Sequence, residues 1–155
     1  VVALGRRVTR PMVVVPELVF GFVLGLIREI YPLTTQMSAG EWPQSMGISL
    51  AGRRLGILGY GRLGRPVARI AKAFDMNVIA WDRGSSYRSN DLGVVRMPLD
   101  DLLASSDIVS IHLRLSDESR GLINRDRLAK MKSGSLLTNT SRGAIVDEDA
   151  LKRSI

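Results

Sequence analysis

Three glycines and the residues between them form the clearest chemical pattern in this sequence. Gly59, Gly61 and Gly64 make a G-x-G-x-x-G turn that follows a short apolar segment and precedes a helical pattern. In this spacing the first glycine permits a tight turn, the second lets the backbone approach a pyrophosphate, and the third lets helix and strand pack closely. The backbone N–H groups of Arg62 and Leu63 then face the phosphates from the helix N-terminus, where the helix dipole favours an anion.

An aspartate supports this interpretation. Asp82 stands 18 residues after Gly64 and directly follows the apolar residues 78–81. A carboxylate at this distance accepts hydrogen bonds from a ribose 2′-hydroxyl and repels a 2′-phosphate. The pattern therefore predicts a dinucleotide site and favours NAD over NADP, although Arg83 and Arg88 lie close by and weaken that preference. The alternative is a glycine turn with an unrelated aspartate.

The composition argues against several other kinds of site. The chain has 155 residues, no cysteine and one histidine, so we expect neither a disulfide scaffold nor a metal centre. The formal net charge of +7 raises the possibility of nucleic-acid binding. The basic residues are scattered, however, and no aromatic residues alternate with them to stack bases. We therefore expect no nucleic-acid partner, and we attribute the charge to a solvated basic face or to an anionic ligand.

One apolar stretch raises the question of targeting. Residues Val13 to Ile27 follow two arginines and superficially resemble a signal peptide. Pro16 and Glu17 interrupt the stretch, and the run after them is shorter than the about 20 residues that span a bilayer. We expect a cytoplasmic protein with no membrane partner.

From Leu50 onward the sequence alternates between strand-like and helical segments. The strand-like segments are continuous apolar runs, which are typical of a parallel sheet covered on both faces. Residues 50–155 therefore predict a dinucleotide-binding domain of the α/β class, with a doubly wound, Rossmann-type sheet that is truncated. The predicted strands are Arg54–Gly59, Asn77–Trp81, Val94–Met97, Asp107–His112 and Ser135–Thr138; the predicted helices are Arg62–Phe74, Leu99–Ala104, Arg125–Met131 and Asp147–Ile155.

Residues 1–49 form a separate N-terminal segment. Within it, residues 17–31 predict a helix that is apolar nearly all round, with Gly21 and Gly25 on one face where they allow close backbone approach. The polar, turn-rich residues 32–49 predict an arm or linker. Such a helix is either a core helix or is covered by a second subunit. We expect a homodimer that forms through residues 17–46.

Taken together, the motifs resemble the NAD-binding domain of the D-isomer-specific 2-hydroxyacid dehydrogenases. The resemblance extends from about residue 16 to residue 151. It implies NAD as cofactor and hydride transfer between the nicotinamide and a small D-2-hydroxy acid or 2-keto acid. Its carriers are the glycine turn with Asp82, then Ser110–Ser116 with Ser119–Asn124, and, as the most specific, Asn139–Glu148 with Ala150–Leu151.

The resemblance also implies roles for individual residues. Arg142 matches the arginine that holds the substrate carboxylate and polarises its carbonyl, which suits a planar, permanently charged guanidinium. Thr140 and Ser141 match positions that line the nicotinamide ribose, and Arg142 is counted with them at the cofactor. Leu113 matches a residue of the loop that covers the cofactor. Arg114 replaces a proline that many members have, which makes this loop less rigid.

The acid/base histidine of the family and its glutamate partner are not in this sequence. His112 does not match that histidine, and we expect it to position the loop on the cofactor side. Arg142 is always protonated and cannot supply the proton. We therefore expect an NAD-dependent oxidoreductase of which this chain carries the cofactor-binding part and is inactive alone. The alternative is a non-catalytic dinucleotide-binding module or a truncated relative.

Overall fold

The computed structural model describes residues 10–84 and 92–154, and these form a sheet of parallel strands with helices on both faces. The doubly wound α/β prediction is confirmed. The strands are β1 (Arg54–Leu58), β2 (Asn77–Trp81), β3 (Val95–Arg96), β4 (Ile108–Ile111) and β5 (Leu136–Asn139), in the spatial order β3-β2-β1-β4-β5. The helices are α1 (Pro11–Ile27), α2 (Ile30–Ser38), α3 (Gly64–Ala73), α4 (Leu99–Ser105), α5 (Arg125–Lys130) and α6 (Glu148–Lys152), with a 3₁₀ turn at Gly143–Ile145.

The strands are apolar on both sides because each side of the sheet packs against helices. Ile57 and Ile108 face the core that α1 and α3 cover, whereas Leu58 and Val109 face the core that α4 and α5 cover. The register aligns the carboxyl ends of four strands at Trp81, Leu58, Ile111 and Asn139. The loops that follow these four residues therefore share one edge of the sheet, which is where ligands bind in such folds.

The N-terminal segment differs from the prediction of one helix over residues 17–31. Helix α1 begins at Pro11, a residue type whose fixed φ suits the first helical position, and it ends at Ile27. The helical conformation is interrupted at Glu29, whose φ is 54°. Helix α2 then includes residues of the predicted arm. Gly25 makes room for the ring of Tyr31, and Gly21 faces open space, so neither glycine meets another backbone.

Only one side of α1 is covered by the described chain. Val19 and Val23 are buried in the core that also contains β1, whereas the segment from α1 to residue 48 exposes many large apolar side chains. Within residues 10–84 and 92–154, no helix is both long and apolar enough to cross a membrane. A domain boundary before Leu50 stays a prediction. The most exposed apolar side chains of this segment are Tyr31, Met37, Trp42 and Met46.

Helix α3 buries its small side chains more fully than most of its larger apolar residues, of which Val67 is fully buried and Ile70 partly buried. Their spacing would turn Leu63, Val67, Ile70 and Phe74 toward the core. Phe74 is instead 38% exposed and stacks on Phe20 of α1, with ring centroids 5.4 Å apart. Small side chains let the helix lie close to the sheet and to α1. The residues of α3 that are buried are Gly64, Val67, Ala68 and Ala71.

Candidate functional site

The three glycines of the turn have different surroundings. Gly59 has a φ of +96°, and a Cβ there would lie 2.9 Å from the carbonyl oxygen of His112. A Cβ on Gly64 would lie 2.3 Å from the carbonyl oxygen of Gly59. A Cβ on Gly61 would meet no atom of residues 10–84 and 92–154 within 4 Å beyond its own chain neighbours. The packing of this chain therefore requires Gly59 and Gly64, whereas at Gly61 the lack of a side chain leaves open space for a ligand.

A cavity of about 430 Å³ opens beside this turn. It lies over the carboxyl end of β1, between the loops that follow β2 and β4, and we call it the glycine-turn crevice. Three arginines are among its lining residues, which suits an anionic ligand. Its lining consists of Gly59, Tyr60, Gly61, Arg65, Asp82, Arg83, Gly84, His112, Leu113 and Arg114.

Asp82 lies at the end of β2 and is held by the glycine turn. The backbone N–H of Tyr60 donates to Oδ1 of Asp82 at 2.8 Å. Burial raises the pKa of the Asp82 carboxyl, and this bond and the charges of Arg96 and Arg65 partly offset the increase. The contact links residues 22 positions apart, so sequence reasoning missed Tyr60; only the parallel pairing of β1 and β2 brings them together. The result is a carboxylate fixed at the wall of the crevice.

The predicted phosphate-binding residues lie just outside α3. Helix α3 begins at Gly64, so Arg62 and Leu63 belong to the turn before it, and neither lines the crevice. Arg65 does line it, with the guanidinium carbon 5.8 Å from the ring centroid of Tyr60. Sequence reasoning did not select Arg65. Its place directly after the third glycine, in the first turn of α3, was the available signal.

Two further arginines were expected near the ribose. The guanidinium of Arg83 is turned toward the segment after β4, where it pairs with Glu118 at 2.5 Å. Arg88 lies outside the described residues. Arg83 is thus directed toward the segment after β4, and the expectation for Arg88 stays a prediction.

His112 follows β4 at the floor of the crevice. Its Nε2 lies 2.9 Å from Oγ of Ser110, which in turn accepts a bond from Oγ1 of Thr138 at 3.0 Å. Its Nδ1 is buried, with no hydrogen-bond partner among the described residues. Burial lowers the pKa of His112 to about 4, so the ring is neutral at pH 7. Leu113, next along the chain, is 9% exposed and packs beneath Gly59.

The three remaining predicted residues lie together on the β5 loop, which comprises residues 139–142. Oγ of Ser141 donates to the carbonyl of Ile111 at 2.9 Å, and Nδ2 of Asn139 donates to the carbonyl of Arg142 at 2.9 Å. The guanidinium of Arg142 is exposed and donates to the carbonyl of Ser141. Oγ1 of Thr140 is buried, with no partner in the part of the chain that the structure describes. This loop adjoins β4 but does not line the glycine-turn crevice.

A second cavity, of about 780 Å³, lies at the β5 edge of the sheet. Apolar side chains from α1, α2 and β5 dominate its walls, including Phe22, Tyr31 and Leu137. Among the described residues, Lys152 is the one cationic residue that lines it, and Glu148 lies on the same wall, so a pyrophosphate would lose its water there for less positive charge than the three arginines of the crevice supply. The smaller glycine-turn crevice is therefore the better match to a dinucleotide, despite its lower volume.

Comparison with known proteins agrees with this geometry. The family model of the D-isomer specific 2-hydroxyacid dehydrogenase, NAD binding domain, matches residues 20–155. A hydroxypyruvate reductase from Thermotoga maritima is 38% identical over 143 residues, which are 91% of this chain and 46% of that protein. A glyoxylate reductase from Aeropyrum pernix is 41% identical over 149 residues, which are 90% of this chain and 44% of that protein. The chain thus spans less than half the length of these relatives.

Solved structures give the same result. A D-lactate dehydrogenase from Aquifex aeolicus, crystallised with NAD and lactic acid, superposes with a TM-score of 0.87 at 33% identity. The match covers 92% of this chain and 44% of that one. The apo structure of D-lactate dehydrogenase from Escherichia coli superposes with a TM-score of 0.86 at 30% identity, covering 95% of this chain and 47% of that one. The expected cofactor, NAD, is confirmed.

Proposed function

Because this chain belongs to the D-isomer specific 2-hydroxyacid dehydrogenase family and forms its NAD-binding domain, we propose that it is the cofactor-binding part of an NAD-dependent oxidoreductase. The reaction is hydride transfer between a small D-2-hydroxy acid and the corresponding 2-keto acid. Bound NAD accepts or supplies the hydride. The relatives that act on hydroxypyruvate and glyoxylate support a small, anionic substrate.

The open space at Gly61 is the observation that carries the cofactor site. The pyrophosphate approaches the backbone there, and the N–H groups of Arg62 and Leu63 donate to it from the turn before α3. Arg65 adds a positive charge at the wall of the crevice. Gly59 and Gly64 serve the same site by shaping the turn.

Asp82 and Leu113 complete the proposed cofactor site. The Asp82 carboxylate accepts hydrogen bonds from the adenosine ribose and, by its charge, disfavours a 2′-phosphate. Leu113 covers the cofactor from the loop after β4. The bond from the Tyr60 N–H supports this role, because it fixes the carboxylate before the ligand arrives.

Arg142 carries the proposed substrate contact. Its exposed guanidinium holds the substrate carboxylate and polarises the carbonyl, which positions the substrate and stabilises developing charge. Thr140 and Ser141 lie at the nicotinamide ribose, and Arg142 contacts the cofactor beside them. The bonds that Asn139 and Ser141 donate to the carbonyls of Arg142 and Ile111 support this arrangement, since they fix the backbone of the β5 loop without occupying all donors of the Arg142 guanidinium.

The proton of the reaction does not come from His112. The ring is neutral, its pKa is about 4, and Nε2 is engaged with Ser110. Without a general acid the rate falls by a factor of about 10² to 10⁴. The chain alone therefore binds NADH but shows no appreciable turnover, as a non-catalytic module would.

Mixing the chain with NADH and a panel of pyruvate, glyoxylate and hydroxypyruvate tests both parts of this statement. We expect fluorescence to report NADH binding and absorbance at the nicotinamide band to stay constant. Robust turnover that His112→Ala abolishes would contradict the role given to His112. If the gene product that contains this chain also fails to reduce every member of the panel, the non-catalytic module is the correct alternative.

We also propose that the protein is a cytoplasmic homodimer that forms through residues 17–46. This segment exposes Tyr31, Met37, Trp42 and Met46, with Trp42 80% and Met46 79% exposed. Large apolar patches of this kind mark protein interfaces in soluble proteins. Sedimentation at micromolar concentration should show a dimer, and Trp42→Ser with Met46→Ser should shift it to monomer. A wild-type chain that sediments only as a monomer would contradict the proposal.

A further inference from the structure

Arg83 directly follows Asp82, the aspartate proposed to bind the ribose, but its guanidinium bonds to another loop. Its guanidinium reaches across to the segment after β4, where Nη1 donates to Oγ of Ser116 at 2.8 Å and to Glu118 at 2.5 Å. Its Nη2 points to the carbonyl of Arg114 at 3.4 Å. The bonds of Arg83 thus go to a different loop from the one that contains Asp82.

This bridge crosses the glycine-turn crevice. The loops after β2 and β4 lie on opposite sides of β1, because β1 is the strand between β2 and β4. Arg83 and Arg114 both line the cavity. A ligand that lies over the end of β1 therefore meets the bridge beside Asp82.

The acceptor side of the bridge is held firmly. Ser119 is fully buried, its Oγ donates to the carbonyl of Arg114 at 2.8 Å, and it accepts the backbone N–H of Ser116 at 2.8 Å. Glu118 itself is 79% exposed and pairs with the guanidinium from the outer side. The loop therefore presents a fixed hydroxyl and a carboxylate to Arg83.

The chemistry of Arg83 matters for the choice of cofactor. An arginine close to the ribose carboxylate is the residue type that accommodates a 2′-phosphate, because its planar fork matches phosphate oxygens. In this structure Nη1 of that fork is already paired with the carboxylate of Glu118. A 2′-phosphate would have to displace Glu118 before both arms of the fork could bind it.

We propose that Glu118 is a specificity-determining positioning residue, which disfavours NADP by holding the Arg83 guanidinium against the loop after β4. The inference rests on the proposed cofactor site in the glycine-turn crevice. It differs from the role of Asp82, which repels the 2′-phosphate directly. Asp82 and Glu118 both lower the affinity for NADPH. NADH binding needs neither the bond from Arg83 to Ser116 nor the bond from Arg83 to Glu118.

Fluorescence titrations with NADH and NADPH test this proposal on the wild-type chain, Glu118→Gln, Arg83→Gln and the double variant. Glu118→Gln should lower the Kd for NADPH about threefold to fivefold, the upper range for freeing one partner of a largely exposed ion pair, and should change the Kd for NADH by less than about twofold. The double variant should lose the gain for NADPH. Glu118→Asp should return the ratio of the two Kd values toward that of the wild type.

Asp117→Asn is the matched control, because Asp117 is an exposed acid of the same loop and makes no bond to Arg83 among the described residues. It should leave the ratio of the two Kd values unchanged. An unchanged NADPH affinity in Glu118→Gln, or an equal loss for both cofactors, would overturn the role of Glu118 and leave the cofactor site standing. A wild-type chain that does not bind NADH would overturn the cofactor site and this proposal with it.

Discussion

The glycine-turn crevice and the β5 loop lie at the same edge of the sheet but are built to different degrees of completeness. In the crevice, Asp82 accepts a hydrogen bond from the Tyr60 N–H, and Gly61 leaves open space. The backbone around Gly59 and Gly64 leaves no room for a Cβ at either residue. In the β5 loop the polar groups bond mainly within the loop, and the Arg142 guanidinium is exposed. The described residues thus contain a preformed crevice beside Arg142, the residue proposed to hold the substrate.

This difference has a physical origin in the way each region is assembled. The crevice is formed by strands β1, β2 and β4, which pair in register within this chain. Arg142 can hold a carboxylate, but hydride transfer to a carbonyl also needs a proton donor at the oxygen. We infer that NAD binding is a local property of this domain, whereas turnover needs groups that face Arg142 from elsewhere.

The largest expected effect is on the free energy of unfolding, and it compares Gly64 of the glycine turn with Gly143 beside the β5 loop. Gly64→Ala places a Cβ 2.3 Å from the carbonyl oxygen of Gly59, so backbone must move, and we expect a loss of about 3 kcal/mol in the free energy of unfolding. Gly143→Ala, beside the β5 loop, places a Cβ 3.4 Å from Oε1 of Glu148, an ordinary contact. Its expected change is within about 0.5 kcal/mol. Urea unfolding measures both, and equal losses would remove the contrast between the regions.

The next effect comes from His112, the half-buried histidine that lines the crevice. The folded-state pKa of His112 is about 4, below its ordinary value of 6.5, so protons bind the unfolded chain more readily. Stability should be complete above pH 6.5, should fall as the pH drops toward 4, and should level off below that. The total loss is roughly 3 kcal/mol.

Unfolding measured at a series of pH values tests this expectation, and the single histidine of the chain makes the assignment simple. His112→Gln should remove the slope between pH 6.5 and 4, whatever its effect on stability at neutral pH. The same slope in the variant and in the wild type would show that another group is responsible.

A smaller effect concerns the choice of cofactor. Asp82→Asn removes the charge but keeps an oxygen that accepts the Tyr60 N–H, so NADPH should gain about tenfold in affinity relative to NADH. Because burial raises the pKa of Asp82, the preference of the wild type for NADH should weaken on acidification at a higher pH than an ordinary aspartate would show. Titration with both reduced cofactors measures the ratio.

Asp75→Asn is a matched control for this change, because Asp75 is exposed and asparagine tolerates its φ of 56°. It should leave the cofactor preference unchanged. Equal or tighter binding of NADPH by the wild-type chain would contradict the role of Asp82.

The sequence predicts the strands better than the contacts of the site. β2 has the predicted bounds, Asn77–Trp81, and its residues 78–81 are apolar because the strand is covered on both faces. The break at Glu29 and the burial of Ala68 and Ala71 were missed, since they depend on how α1, α2 and α3 pack. The bridge from Arg83 to Glu118 joins residues 35 positions apart, and only the order of the strands brings them together.

The central claim, that the fold leaves room at Gly61 for the pyrophosphate of NAD, is tested most directly by one substitution. In Gly61→Val the new Cβ has no atom of the described residues within 4 Å beyond its chain neighbours. The melting temperature should therefore stay close to that of the wild type. NADH affinity should fall at least about 100-fold, because the side chain occupies the space of the ligand.

Gly21→Val makes the same change at an exposed position of α1 that also faces open space, and it should bind NADH as the wild type does. Titration of the three proteins with NADH by fluorescence gives the decisive comparison. We predict that the wild type and Gly21→Val bind NADH and that a folded Gly61→Val protein does not. A folded Gly61→Val protein with unchanged NADH affinity would contradict it.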